Sequence, residues 1–386
     1  MSKKITRTRE TSFMLETDGF SIHTFELSRK MTKHEWHHLK EKLYAKQSKR
    51  PKREKVWIYR DGKGCHRVTL FEEHGIRITL QHYEGDGHDS YYVYLAINPR
   101  KLIDPECSYL GILEPKESSI KALKTAFRKL LKDSVFENEL DQYRLHRVDL
   151  CANIRCEHKK IFRETVRVLR KLPTPKKYKR VFSEHKDRKT RNNINKHYIQ
   201  FVCGTHNLVI YDKTFQLEDQ GLTVDLEGLP AGVLRFEVQY QRKMIRDLEK
   251  AQKTEDPAEL LSMLMHESRN RIYRHFSYCF ADVRFCQYDE IIDRIDSSRY
   301  DHEHKKAMRE LVHRLRKKQT VDSVIEDMEK EQYPMDGILN RFTNLGISPI
   351  PLWQNFCAQM IPGPVELLER VANENVMVEY EKKKYK

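Results

Sequence analysis

Three short runs each place an acid or a nucleophile on one side of an extended chain. They are His146-Arg147-Val148-Asp149-Leu150, Leu208-Val209-Ile210-Tyr211-Asp212-Lys213 and Leu234-Arg235-Phe236-Glu237-Val238-Gln239. Strand side chains alternate between faces. Arg147 and Asp149 therefore share a face with Cys151 and Asn153, Tyr211 with Val209 and Lys213, and Glu237 with Arg235 and Gln239. Laid side by side with apolar sides down, the runs present two carboxylates, a phenol and several cations. That combination suits attack on a phosphodiester. The plain alternative is the solvated polar face that half-buried antiparallel strands normally carry.

The elements that must hold these residues are legible from periodicity. Residues 12–15 and 21–25 read as short strands, and 33–45 as a helix after a Thr32 cap. Strands follow at 55–59, 67–71, 76–83 and 91–97, separated by Gly, Asp or Asn turns, with a loop at 84–90. Helices are expected at 118–131 and 158–172, on either side of the Asp149 strand. A hairpin is expected to present Tyr211, with Tyr198 heading the partner strand at 198–202. Beyond Gln241 the chain turns helical, with helices at 243–251 and 257–270, an aromatic-rich helical segment to about 300, and helices at 302–318, 320–332, 335–344 and 351–360. The expected class is α+β, a mostly antiparallel sheet with helices packed on one side. Residues 1–300 would form the catalytic region. Residues 301–386 would form a small helical domain, a candidate DNA-binding unit whose last residues, 381–386, are expected to be disordered.

Composition narrows the partners. The 386 residues include 72 Lys and Arg against 57 Asp and Glu, a formal charge of +15. Such a balance favours an anionic partner, nucleic acid first. Aromatic content of 10% and hydrophobic content of 39% belong to a folded chain, not a basic tail. No run of 18 apolar residues occurs, so no membrane partner is expected. The N-terminus is basic without a following apolar stretch, which makes the cytoplasm the expected location. The eight cysteines include no CxxC pair and read as free thiols rather than metal ligands or disulfides.

Residues 171–196 hold ten Lys or Arg against Glu184 and Asp187. A solvated loop and a phosphate-contacting segment are equally good readings of that run. Lys176, Lys177, Lys179, Arg180, Arg188, Lys189 and Arg191 are its candidate DNA contacts, together with Arg147 and Arg235 on the strands. No GxxxxGK[ST] is present, so the chain has no helicase motor of its own. No His-hydrophobic-His metal motif is present either.

In this order, the motifs resemble the replication initiation factor family. Its members are the rolling-circle initiators of small Gram-positive plasmids and conjugative transposons, with filamentous-phage replication proteins as more distant relatives. The resemblance rests on Arg147-Val148-Asp149, Tyr211-Asp212-Lys213, Arg235-Phe236-Glu237 and the upstream Ile97-Asn98-Pro99-Arg100-Lys101-Leu102, and it spans about residues 76–245. It implies Tyr211 as a nucleophile that leaves a 5′-phosphotyrosine and a free 3′-hydroxyl primer, with Asp149 and Glu237 holding Mg²⁺ or Mn²⁺. The chemistry agrees. A phenol is a weak nucleophile at neutral pH unless a cation or base favours its anion, and Lys213 could supply the charge. Hard oxygen ligands suit Mg²⁺. Tyr198 is the second candidate nucleophile.

The sequence departs from that family at two places. Cys151 and Asn153 stand where many relatives carry a second acid, and Ala96 stands where relatives often carry Glu. The resemblance implies single-stranded or cruciform origin DNA as substrate, with a host helicase and DNA polymerase as partners. It leaves open a homodimer in which a second subunit supplies the closing nucleophile. A non-catalytic DNA-binding regulator on the same fold is the competing expectation, and an RNA-binding structural protein is the third.

Overall fold

The alternation of β-branched and polar residues does what it implies. In a computed structural model of the chain, Ile76, Ile78 and Leu80 are fully buried while Arg77 is exposed and Thr79 and Gln81 are half-buried. Tyr91, Val93, Leu95 and Ile97 repeat the pattern on the next strand. The structure describes residues 13–49, 58–60, 64–85, 88–107, 110–156, 158–183, 186–219, 221, 232–317, 320–354, 356–373 and 376–378. The expected tail at 381–386, the middle of the 84–90 loop and most of the expected 55–59 strand lie outside the described residues.

The strands are β1 (Phe13–Met31), β2 (Ile58–Arg60), β3 (Cys65–Phe71), β4 (Ile76–Tyr83), β5 (Ser90–Ile97), β6 (Arg144–Cys156), β7 (Lys179–Val181), β8 (Tyr198–Val202), β9 (His206–Asp212), β10 (Gly232–Tyr240), β11 (Phe285–Cys286), β12 (Met360–Ile361) and β13 (Val376–Val378). The helices are α1 (Lys33–Lys49), α2 (Pro99–Ile103), α3 (Glu117–Leu131), α4 (Lys159–Leu169), α5 (Arg188–His197), α6 (Lys213–Asp219), α7 (Arg242–Gln252), α8 (Pro257–Cys279), α9 (Tyr288–Asp296), α10 (His302–Leu315), α11 (Val321–Lys330), α12 (Ile338–Asn344) and α13 (Pro364–Asn373). One antiparallel sheet runs β2-β3-β4-β5-β1-β6-β10-β9-β8-β7, with β13 added to β1, and β11 pairs with β12 separately. The α+β class expected from the sequence is the class observed.

The sheet's apolar face takes Val148, Leu150 and Ala152 from β6, Phe236 and Val238 from β10, and Leu208 and Ile210 from β9 into the main core. Helix α8 packs there with Leu260, Leu261, Leu264, Met265, Ile272 and Phe276. Burial of each such side chain contributes roughly 1.5–3 kcal/mol. At the other end of the sheet, α1 packs Trp36 against the rings of Tyr91, His66 and His82. A small second cluster, Leu110 with Leu217 of α6 and Val233 of β10, covers one end of the opposite face. That cover explains why β10 is buried along its whole length, although its alternation reads as half-solvated.

Four readings change. The two strands expected at 12–15 and 21–25 belong to one long strand, β1, whose register slips between Thr17 and Phe20, Ile22 and Thr24, and Glu26 and Leu27. The slip between Ile22 and Thr24 puts an extra residue into β1, so the core set passes from Phe20 and Ile22 to Phe25 and Leu27 and the alternation looks broken. The helix expected at 257–270 and the aromatic-rich helical segment expected to follow it to about 300 divide differently, as one helix to Cys279 and a second at Tyr288–Asp296. The expected helix at 351–360 does not form. There the backbone serves α4, with Arg167 donating to the Pro351 carbonyl at 2.7 Å and Glu164 accepting the Trp353 N–H at 2.7 Å. Finally, Lys213 opens a helix and does not end a strand.

Contacts also cross position 300. Lys171 donates to the carbonyls of Leu315 and Lys317, a cation at a helix C-terminus. Asp322 accepts the Thr174 N–H at 3.0 Å. Ala307, Leu311, Val324, Phe342 and Leu368 belong to the same apolar cluster as the sheet. Gly363 lets the chain into α13 pass against the Val283 carbonyl, onto which a Cβ would be driven. Gly363→Ala is therefore expected to lower stability by about 2–4 kcal/mol, since two backbones must part. A urea unfolding midpoint within error of wild type would contradict that contact.

Candidate active site

The three chemistry-bearing strands are neighbours, in the order β6-β10-β9. Their registers set Asp149 opposite Gln239, Cys151 opposite Glu237, and Asn153 opposite Arg235. Across the other edge of β10, Arg235 faces Tyr211 and Glu237 faces Val209. On β8, Tyr198 lies opposite Tyr211. All of these point away from the apolar core, so the acids, the phenol and the cations do share one face.

Tyr211 is the centre of the buried part. It is 5% exposed, and its hydroxyl donates to Glu237 Oε1 at 2.7 Å. Burial, together with the Glu237 charge, pushes this phenol well above the ordinary tyrosine value. Glu237 responds in the opposite direction. Burial alone would raise its carboxyl, but the His23 and Tyr211 hydrogen bonds and the Arg235 charge hold it below the usual range. Its second oxygen accepts from Gln239 at 3.2 Å. His23 Nδ1 lies 3.3 Å from Glu237 Oε1, and burial with the nearby Arg235 lowers its imidazole to about 4. Tyr211 and Glu237 thus form a hydrogen-bonded phenol–carboxylate pair in which the raised phenol keeps its proton and the carboxylate stays ionised until the phenol is used.

Lys213 reaches the same place from a different element. The Asp212 side chain accepts the Phe215 N–H at 2.9 Å and caps α6, so the strand stops at Asp212 and Lys213 begins the helix. Its Nζ sits 6.0 Å from the Tyr211 ring centre and donates to Gln216 Oε1 at 2.8 Å. Burial, and then the Arg235 charge, lower its ammonium to about 7. The expected fixed cation is therefore one that titrates near neutrality.

Asp149 lies one row away. Arg147 grips it with two hydrogen bonds of 2.7 Å, and the Thr24 hydroxyl donates to it. Burial raises the Asp149 carboxyl even so. Beside it opens a cleft of about 500 Å³ lined by Thr24, Glu26, Arg67, Arg77, Arg147 and Asp149, among others. Glu26, facing both Ala96 and Arg147 across its strand edges, is also raised by burial. His23, Thr24 and Glu26 are not among the residues the sequence pointed to, because the slips in β1 hide their common face.

Among the described residues, no group of three or more His, Cys, Asp or Glu side chains is set to ligate a metal. A hard cation such as Mg²⁺ does not need one, because it keeps several waters and binds through one or two carboxylates plus phosphate. Glu26, Glu72 and Asp149 are the carboxylates that border the cleft. Asp149 and Glu237, the two expected ligands, both have their oxygens engaged within the protein, Asp149 by Arg147 and Thr24 and Glu237 by Tyr211 and Gln239, so an ion at Asp149 would share that carboxylate with Arg147. The eight cysteines form no disulfide.

The expected DNA contacts separate into groups. Arg235 is fully buried and donates to Asn153 Oδ1 at 2.6 Å and the Leu110 carbonyl at 3.3 Å, so it shapes the field around Tyr211 and does not reach a surface strand. Arg180 turns inward, donating to the carbonyls of Leu172 and Arg170. Arg147 is engaged with Asp149. Lys176, Lys177 and Lys179 are exposed at the β7 edge, and Arg188 and Lys189 are exposed on α5, with Arg191 half-buried there. Helix α5 runs directly into β8 and Tyr198. Tyr198 is half-buried, donates to Gln200 Oε1 at 3.2 Å, and is raised by burial and the Glu237 charge. Among the described residues no helix is long and apolar enough to cross a membrane.

No protein-family model matches the chain, and no curated protein matches it. Among solved structures it is similar to one titled "Structure of Rolling Circle Replication Initiator Protein from Geobacillus stearothermophilus", at 12% identity and a TM-score of 0.31, covering 69% of this chain and 85% of that one. A likeness that loose bears on no residue and no reaction.

Proposed function

We propose that this chain breaks and rejoins single-stranded DNA by tyrosine transesterification and so starts rolling-circle replication of a mobile element. The observation that carries the reading is the Tyr211 hydroxyl held 2.7 Å from Glu237 on a polar sheet face, beside a cleft bordered by cations and by three further carboxylates, Glu26, Glu72 and Asp149. A merely solvated face would not bury an acid, a phenol and two cations together. In the proposed step, the Tyr211 oxygen bonds to phosphorus as its proton passes to Glu237. The P–O3′ bond breaks, and the 3′-oxygen leaves with a proton from Lys213 or water. The products are a 5′-phosphotyrosine and a free 3′-hydroxyl. The phosphodiester energy is kept in the adduct, so rejoining needs no nucleotide cofactor.

A Mg²⁺ or Mn²⁺ ion at Asp149 and Glu26 would, when bound, polarise the phosphate and neutralise its charge. Arg147 orients Asp149 toward that edge of the cleft, and Glu237 stays with the phenol. Unwinding and synthesis would fall to a host helicase and polymerase. The exposed lysines at the β7 edge and the cations of α5 are proposed to hold flanking phosphates, and the helices beyond residue 300 to contribute to origin choice.

The test is to incubate protein with single-stranded oligonucleotides from its own element, with Mn²⁺ or with chelator. A protein–DNA adduct that survives denaturation and needs the metal supports the reading. DNA binding with no adduct on any origin fragment would replace it with the non-catalytic regulator.

A further inference from the structure

The polar face does not stop at the cleft. Beyond Glu26 it continues onto β5 and β4, where Tyr94 pairs with Thr79, Tyr92 with Gln81 and Ala96 with Arg77. Three tyrosines and a histidine line up there. The Tyr92 and Tyr94 rings are nearly parallel, 25° apart with centroids 5.8 Å from each other. Tyr83, half exposed, stands edge-on to Tyr92 at 5.9 Å. His146 closes the row against Tyr94 at 5.0 Å. Tyr94 itself lines the cleft with Arg67, Arg77 and Arg147, and exposed Lys30 lies opposite Tyr92 on β1. The core-facing residues of the same strands, such as Tyr91, meet Trp36 of α1 on the other side.

Strand positions that face water normally carry Thr, Lys, Glu or Ser, and a run of outward rings needs an occupant for its faces. Rings flanked by guanidinium groups are how proteins hold unpaired bases while cations track the backbone. The acids nearby, Glu26, Asp149 and Glu72, line the cleft end, where the phosphate to be cut would meet the ion, and Arg67 reaches the track while bonded to Glu72 at 2.7 Å.

We propose that Tyr92 and Tyr94, with Tyr83 at the outer end, form a base-stacking track for single-stranded DNA. The track delivers one flank of the strand into the cleft beside Asp149, and Lys30, Arg67 and Arg77 accompany its phosphates. The proposal rests on the strand-transfer reading above and adds the path of the substrate.

The experiment measures binding of fluorescent single-stranded oligonucleotides by anisotropy, with the full chain carrying Tyr211→Phe so that no adduct forms. Tyr92→Leu with Tyr94→Leu is expected to weaken binding on the order of tenfold or more, and Tyr92→Phe with Tyr94→Phe to retain it. Unchanged thermal melts separate this from misfolding, and if the Leu pair fails to fold, Tyr83→Leu and Arg77→Gln carry the same expectation. Equal binding by Leu and wild-type rings overturns the track, as does tighter binding of duplex DNA or of RNA of the same sequence. Adduct formation by the Tyr211 protein, scored in parallel, keeps the two readings apart. An adduct with Leu-insensitive binding removes only the track, and Leu-sensitive binding without an adduct removes only the chemistry.

Discussion

Tyr211→Phe is expected to lose the covalent adduct altogether, a fall of at least ~10³-fold, because removing a covalent nucleophile typically leaves only residual catalysis. Tyr198→Phe is expected to keep it. Both phenols sit on the same face, with ring centroids 6.0 Å apart, and Tyr198 is the more accessible. What separates them is the group that accepts the proton. Tyr211 donates to a carboxylate held ionised, whereas Tyr198 donates to the amide oxygen of Gln200, which cannot take a proton near neutrality. Accessibility favours Tyr198, and chemistry favours Tyr211. A scissile phosphate must displace part of what buries Tyr211, whose ring has Lys213 of α6 6.0 Å from its centre. The Phe variant also leaves Glu237 with one donor fewer, which costs about 1–3 kcal/mol. A melting curve must therefore accompany the gel. A folded Tyr211→Phe protein that still forms an adduct, lost only on adding Tyr198→Phe, would transfer the nucleophile to Tyr198.

Much of this site was legible because strand alternation is rigid. Once Asp149, Tyr211 and Glu237 lay on alternating runs, a single sheet had to bring them to one face. Burial was not legible. Alternation in β10 implies a polar face in water, yet the strand is buried throughout: Arg235 donates to the carbonyl of Leu110, far away in sequence, Leu110 packs with Leu217 and Val233, and Glu237 lies against Tyr211 and His23. Only tertiary structure supplies such a roof. Glu26 and His23 were hidden for a local reason, since the slips in β1 break the period that would have marked them. Lys213 was misplaced although its signal was present. An Asp at the end of a strand, followed by polar residues and then Phe215 and Leu217, is a helix N-cap. The tyrosines of β5 were visible as a strand, but their facing the cleft depends on β1 lying between β5 and β6, an order that the sequence does not encode locally.

Lys213→Met should stabilise the protein while damaging its chemistry. The wild-type ammonium titrates near 7 in the fold against an ordinary 10.5. Between those values the unfolded chain binds the proton more fully than the folded one, so wild-type stability rises with pH through that window. The penalty for burying the cation is complete below about pH 7 and is gone above about 10.5. Methionine fills similar space and carries no proton. Its advantage is therefore expected to be greatest at pH 6–7, on the order of 4–5 kcal/mol by the linkage between pKa shift and free energy, and to vanish near pH 10.5. The adduct rate should show the same dependence with the opposite sense. Wild type should exceed the Met variant by ~10² at pH 6, where the cation stands beside the phenolate, and the ratio should shrink as pH rises through 7. Stability gained at the expense of activity is the pattern of a functional group held against its own solvation. Equal urea midpoints for the two proteins at pH 6 would mean that Lys213 is hydrated and not buried. A rate ratio independent of pH would mean that its charge plays no part in the step.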